Sequence, residues 1–206
     1  MNHQTTDQTR ISRGEETRRK LLQAAVSSLG RNGYASTTVD ALMQAAGVSR
    51  GSVLHQFPTR LDLMAAAAEF AMNSMVLDTV ERIEEFDSAT RQLDMLAQVM
   101  WEVHNSTSAN ALTEVLLASR WDRDLAMRLT PVAERIEAEI DSLLGKIADR
   151  CGVANPIEVL AWGRLMIASM RGLIIELMLQ PDRQMIIAAR DTLLQQHAKR
   201  VREWLG

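Results

Sequence analysis

The 206-residue chain has 47% hydrophobic and 24% charged residues, which excludes a disordered tail, a collagenous repeat and a chain made of membrane spans. Its formal net charge of −3 is unevenly divided: residues 1–60 carry eight basic and four acidic side chains, a balance of +4, whereas residues 61–206 carry 15 basic and 22 acidic ones, a balance of −7. A basic end on an acidic body suits a polyanion-binding module attached to something else, and the single cysteine, Cys151, excludes an internal disulfide and a cysteine-built zinc site.

Ten glycines and four prolines leave few turns, so the segments between them must be long, and long segments rich in Ala, Leu, Met, Arg and Glu are helices. The expected fold class is all-α. Residues 1–13 are polar, read as a flexible arm and lack an apolar signal-peptide core, which points to a cytoplasmic protein. Arg10 and Arg13 in that arm read as solvated charges. From Arg18 onward, Leu22, Ala25, Val26 and Leu29 form one stripe of an amphipathic helix, which Arg31-Asn32-Gly33 ends. Thr37, with Asp40 three positions on, is the expected N-cap of a second helix running to Ala46. Gly47 supplies the left-handed turn. Ser49 then caps a third helix from Arg50 to about Phe57, which Pro58 stops.

Two short helices joined by Gly47-Val48-Ser49 are a helix-turn-helix, with Leu42, Ala46, Val48 and Val53 meeting inside the corner. The second helix turns Arg50, Ser52, His55 and Gln56 outward, all able to hydrogen bond, and such a helix fits a major groove. An ordinary αα-corner shares the glycine turn. The cap, the basic charge and the proline together favour DNA.

The span from Thr17 to Leu63 resembles the N-terminal domain of TetR-type transcriptional regulators. The matching elements are Gly33-Tyr34, Thr37-Thr38-Val39, Ala46-Gly47-Val48-Ser49, Gly51, and Phe57-Pro58 followed by Arg60 and Leu63. The resemblance implies an all-helical homodimer whose small N-terminal domains bind a palindromic double-stranded operator while larger C-terminal domains bind a small-molecule effector. It divides the chain into the arm (1–13), a helix-turn-helix domain (14–58) and a ligand-binding and dimerisation domain (59–206). Three positions depart from the family pattern: Met43 replaces a small residue, Leu54 a frequent tyrosine and Gln56 a histidine. Leu54 cannot hydrogen bond to phosphate but can touch a thymine methyl.

Arg50 is the expected reader of a guanine edge, with a phosphate contact as an equal alternative. Thr38 and Arg60 are the expected phosphate clamps at helix ends. Ser49, Gly51, Ser52, His55 and Gln56 complete the expected DNA face, Gly51 as the family pattern implies.

A long helix from Thr59 to Phe86 is expected to connect the reading head to the body. Further helices are expected at about 88–105, 109–120, 123–150, 156–180 and 184–205, with Pro131 a possible kink or break. The stretch 156–179 is apolar nearly all round, and the last helix carries Ile186, Leu193, His197, Val201 and Trp204 as a stripe. Surplus apolar surface on these last two helices suits a four-helix dimer interface. Charges within 159–179 argue against a bilayer span.

Twelve methionines against 4% aromatics suit an interior that repacks around apolar shapes. The expected effector contacts are Trp101, His104, Trp121, Trp162, Met166 and Met170, held mainly on the family resemblance, with His104 read first as a satisfied core histidine. Arg164 and Arg171, seven apart, suit an anionic ligand or pairing across the dimer, the second being preferred. No catalytic constellation, cofactor motif or metal-ligand spacing assembles: neither His104 nor His197 has a glutamate three residues before it, and no Gly-rich phosphate loop or nucleophile elbow occurs. The expected function is therefore a ligand-responsive homodimeric repressor released from its operator by a small apolar or aromatic effector. A helical adaptor or an activator is the alternative.

Overall fold

A computed structural model describes residues 13–206, as nine helices with no strand among the described residues: α1 (Arg13–Ser36), α2 (Val39–Ala46), α3 (Arg50–Gln56), α4 (Arg60–Glu84), α5 (Ala89–His104), α6 (Thr107–Ser119), α7 (Arg123–Arg150), α8 (Pro156–Leu179) and α9 (Gln184–Leu205). The fold class is all-α, as expected. The expected arm lies outside the described residues except for Arg13, which opens α1.

Helix α1 begins earlier than its apolar stripe because Glu15 and Glu16 suit the positive end of the helix dipole, and Arg19 bonds Glu16 one turn on. It breaks at Gly33, whose φ of 80° and ψ of 169° no side-chain-bearing residue adopts without strain, and then makes one further turn to Ser36. This break moves the next cap. Thr37 is buried and spends its hydroxyl on the Gly33 carbonyl (2.9 Å), beside Ser28 Oγ. Thr38 is therefore the N-cap of α2, its Oγ1 accepting from the Ala41 amide.

The turn behaves as expected: Gly47 is left-handed (φ 64°) and Ser49 caps α3 through the Ser52 amide. Phe57 leaves the helix in an extended conformation, as the residue before a proline prefers. Thr59 and Asp62 form a reciprocal capping box at the start of α4. Pro131 neither kinks α7 into two helices nor ends it. The carbonyl it frees belongs to Met127, on the exposed side of the helix, where solvent can bond it.

Helix α1 packs across α4 and α6, with Leu21, Ala25 and Leu29 fully buried. Gly30 marks the closest approach: a Cβ there would lie 2.5 Å from the Thr107 carbonyl at the start of α6. One apolar cluster runs from Leu21 of α1 to Val201 of α9. No helix among the described residues is long and apolar enough to cross a membrane.

Candidate nucleic-acid interface and effector cavity

Helix α3 turns Val53 inward, with Phe57 buried just past its end, and leaves Arg50, Gly51, Leu54 and His55 exposed on one outer face. Arg18 lies over the Phe57 ring (4.5 Å), holding the exit of α3 against α1. Of the residues expected at DNA, Thr38, Ser49, Arg50, Gly51 and His55 are exposed. Ser52 is half-buried, its hydroxyl shared with Ser49 Oγ (2.9 Å). Two differ from expectation. Gln56 points back at the start of α1 and donates to the Gly14 carbonyl (3.3 Å). Arg60 stacks on the Tyr34 ring (4.4 Å) and donates to the carbonyls of Tyr34 (2.7 Å) and Thr37 (3.2 Å). Most of its donors hold the α1–α2 connection, so a phosphate clamp is not its first role. Leu54 is 51% exposed at the centre of the outer face, where a side chain can touch a thymine methyl.

Below the head, α4 to α8 line an apolar cavity of about 340 Å³ that is partly open to solvent. Met72, Met75, Val76 and Thr79 of α4 form one wall, Leu96, Met100, Val103 and His104 of α5 a second, and Leu112 and Leu116 of α6 a third. Helix α7 adds Ile136, Ile140 and Leu143, and α8 adds Arg164, Ile167, Ala168 and Arg171.

Of the six expected effector contacts only His104 lines this cavity. Trp101, one residue round α5 from Met100, is buried elsewhere beneath Arg190 (5.6 Å). Trp121 is 83% exposed at the α6–α7 turn. Met166 and Met170 are buried in the core on the neighbouring face of α8. Trp162 shares that face and donates its indole N–H to His197 Nδ1 (3.0 Å), while His197 Nε2–H donates to the Leu93 carbonyl (2.8 Å). These two bonds fix His197 as the neutral Nε2-protonated tautomer. Burial holds its pKa below the ordinary histidine value, against the opposing effects of the Leu93 carbonyl and Asp94.

Residues 21–67 match the family model for bacterial regulatory proteins of the tetR family. This segment is a TetR-family domain. The chain resembles the HTH-type transcriptional regulator CymR of Pseudomonas putida, 29% identical over 194 residues that span 91% of this chain and 92% of that protein. The fold matches a TetR-family regulator from Cytophaga hutchinsonii (TM-score 0.71, 15% identity, 95% of this chain and 98% of that one). It also matches the Bacillus subtilis transcriptional regulator FadR crystallised with stearoyl-CoA (TM-score 0.64, 15% identity, 87% and 97%). TetR-family proteins are DNA-binding transcriptional regulators and not enzymes, and so is this chain.

In a TetR-family helix-turn-helix these positions give different consequences to Arg50 and Arg60. Arg50 is exposed and its loss leaves the fold alone, so Arg50→Ala is expected to cost about 1–3 kcal/mol of operator binding and relax preference at one base pair. Competition between operator and random DNA checks this, and equal losses on both would assign Arg50 to phosphate. Arg60→Ala strips two carbonyls of their donor and removes a stacked cation. It is expected to cost about 1–3 kcal/mol of stability in thermal unfolding, with DNA binding falling in proportion.

Proposed function

We propose that this TetR-family chain is a homodimeric, cytoplasmic repressor that leaves a palindromic operator when a small effector with an apolar or aromatic body fills the cavity. In this reading residues 14–58 are the DNA-reading head and 59–206 the effector-binding and dimerising body. The observation that carries it is the position of the cavity. Its walls include α4, which begins two residues after the head ends, and α6, whose Thr107 touches Gly30 of α1 and whose Glu114 accepts from the Tyr34 amide (2.9 Å). A ligand that separates α4 from α6 therefore pushes on both supports of the head. The connection runs through two helices rather than through α4 alone.

The pairing of chains is supported by an exposed stripe on α8. Ile157, Ala161, Leu165, Gly172 and Leu179 recur at helical spacing on the side opposite the buried Trp162, Met166 and Met170. A palindrome requires the two α3 helices of such a pair to lie roughly 34–36 Å apart, on successive major grooves.

Fluorescence anisotropy with DNA flanking the gene, run at fixed salt because phosphate contacts are salt-dependent, tests the reading. The expected result is a preference for one palindromic site. A compound that raises the melting temperature is expected to weaken operator binding about 5–150-fold, the usual range of coupling between sites. Saturation of the cavity without any change in operator affinity would sink the coupling.

A further inference from the structure

Five polar side chains line the cavity, and three are already committed. Thr79 donates to the Met75 carbonyl (2.8 Å). Arg164 donates to the Asp141 carboxylate (2.9 Å) and the Glu137 carbonyl (3.1 Å), and its charge also neutralises the Glu137 carboxylate (3.7 Å). These bonds hold Arg164 against α7. The remaining two are His104 and Arg171.

His104 Nδ1 sits 2.8 Å from the Met100 carbonyl, which can only accept, so Nδ1 carries the hydrogen and Nε2 of the neutral ring is a free acceptor. Burial first, and the Arg171 charge as well, hold this ring below the ordinary histidine pKa, with the Met100 bond opposing. Arg171 has no hydrogen-bond or ion-pair partner among the described residues, and burial alone depresses its pKa. Arg171 is half-buried, and withdrawing part of a guanidinium, with its five donors in a planar fork, from water without a partner costs free energy. A carboxylate placed on that fork restores two charge-assisted bonds at once. The rest of the wall offers methionine, leucine, isoleucine and valine side chains.

We infer that the cavity binds a compact monocarboxylate, its carboxylate paired with Arg171 and its aromatic or aliphatic body enclosed by the α4, α5 and α6 walls. The inference rests on the effector reading above and narrows it. The 340 Å³ volume is near the lower end of the roughly 300–1,000 Å³ usual for small-molecule sites, which suits a small acid. The carboxylate also lies within the reach of a group that can respond to it: a proton on His104 Nε2 would turn that acceptor into a second donor.

Matched acids and amides test this, since they share an apolar body and differ in charge. Binding of 1-naphthoate, 1-naphthamide, octanoate and octanamide is measured by calorimetry on the wild type, Arg171→Met and Arg171→Lys, with operator anisotropy read on the same samples. At least one acid is expected to bind the wild type roughly 10–100-fold more tightly than its amide, as a charge-assisted bidentate pair implies. Arg171→Met is expected to abolish that preference while keeping its affinity for the amide, which also shows that the variant is folded. Arg171→Lys should retain part of the preference. Equal binding of acid and amide by the wild type, an undiminished preference in Arg171→Met, or no binding of either acid would overturn the carboxylate assignment. Operator release by an amide with no preference for acids would overturn only that assignment. Arg171-dependent acid binding that leaves operator affinity unchanged would instead uphold the site and overturn the effector reading.

Discussion

Leu165→Glu is expected to turn the protein into a folded monomer that has lost most of its operator affinity. Leu165 is 53% exposed in the single chain, between Ile157 at 74% and Leu179 at 81% on the same face of α8. A glutamate there touches nothing in its own chain that needs an apolar neighbour, so stability of the isolated chain should change by no more than about 0.5 kcal/mol. At a two-fold interface the same residue meets the same patch of its partner, so each substitution counts twice and two carboxylates are desolvated together. Losing the second reading head removes the gain from linked binding, about 10²–10⁴-fold. Sedimentation velocity and operator anisotropy measure both effects. A variant that remains dimeric would move the interface away from this stripe.

His197→Ala is expected to be the most destabilising single substitution considered, at about 3–5 kcal/mol. It leaves the Trp162 indole N–H and the Leu93 carbonyl without partners inside the core, and it opens a void between α5, α8 and α9. For a chain of this size the melting temperature should fall by roughly 10 °C. A loss below about 1 kcal/mol in chemical denaturation would show that water replaces the ring at little cost. The pH dependence carries a definite sign. Burial lowers the folded-state pKa of both His197 and His104, so their contribution is fully present above the ordinary histidine value of about 6.5. It is lost as the pH falls below that value, because the unfolded chain takes up protons that the folded chain resists. Each histidine contributes at most about 1.4 kcal/mol per pH unit to this slope, and His197→Ala should flatten it.

The reading head was legible in the chain because its determinants act locally. Gly47, Ser49 and Pro58 each impose their conformations on one turn of backbone, and the inward and outward faces of α3 follow from its period. The shift of the α2 cap from Thr37 to Thr38 was less accessible, since it depends on Thr37 reaching back to the carbonyl of Gly33 across the break. Arg60 shows the same limit at longer range. A basic residue after Pro58 suits phosphate by type, but the carbonyls of Tyr34 and Thr37, more than 20 positions earlier, lie closer to most of its donors.

The cavity was the least legible part. Helix α8 is apolar on nearly every side, so its sequence offers no contrast to tell a wall from a core, and the choice of Trp162, Met166 and Met170 fell on the neighbouring face. The cavity takes Arg164, Ile167 and Arg171 instead. The seven-residue spacing of the two arginines did place them together, but only their neighbours separate their roles: Asp141 and Glu137 answer Arg164, and nothing among the described residues answers Arg171. By itself the sequence determined an all-helical chain, a helix-turn-helix with its caps and turn, and a basic head on an acidic body, because helix periods, caps and charge are properties of near neighbours. Only the tertiary structure decided where the cavity lies and which polar groups it leaves unpaired, because a cavity forms where helices distant in the chain pack without closing.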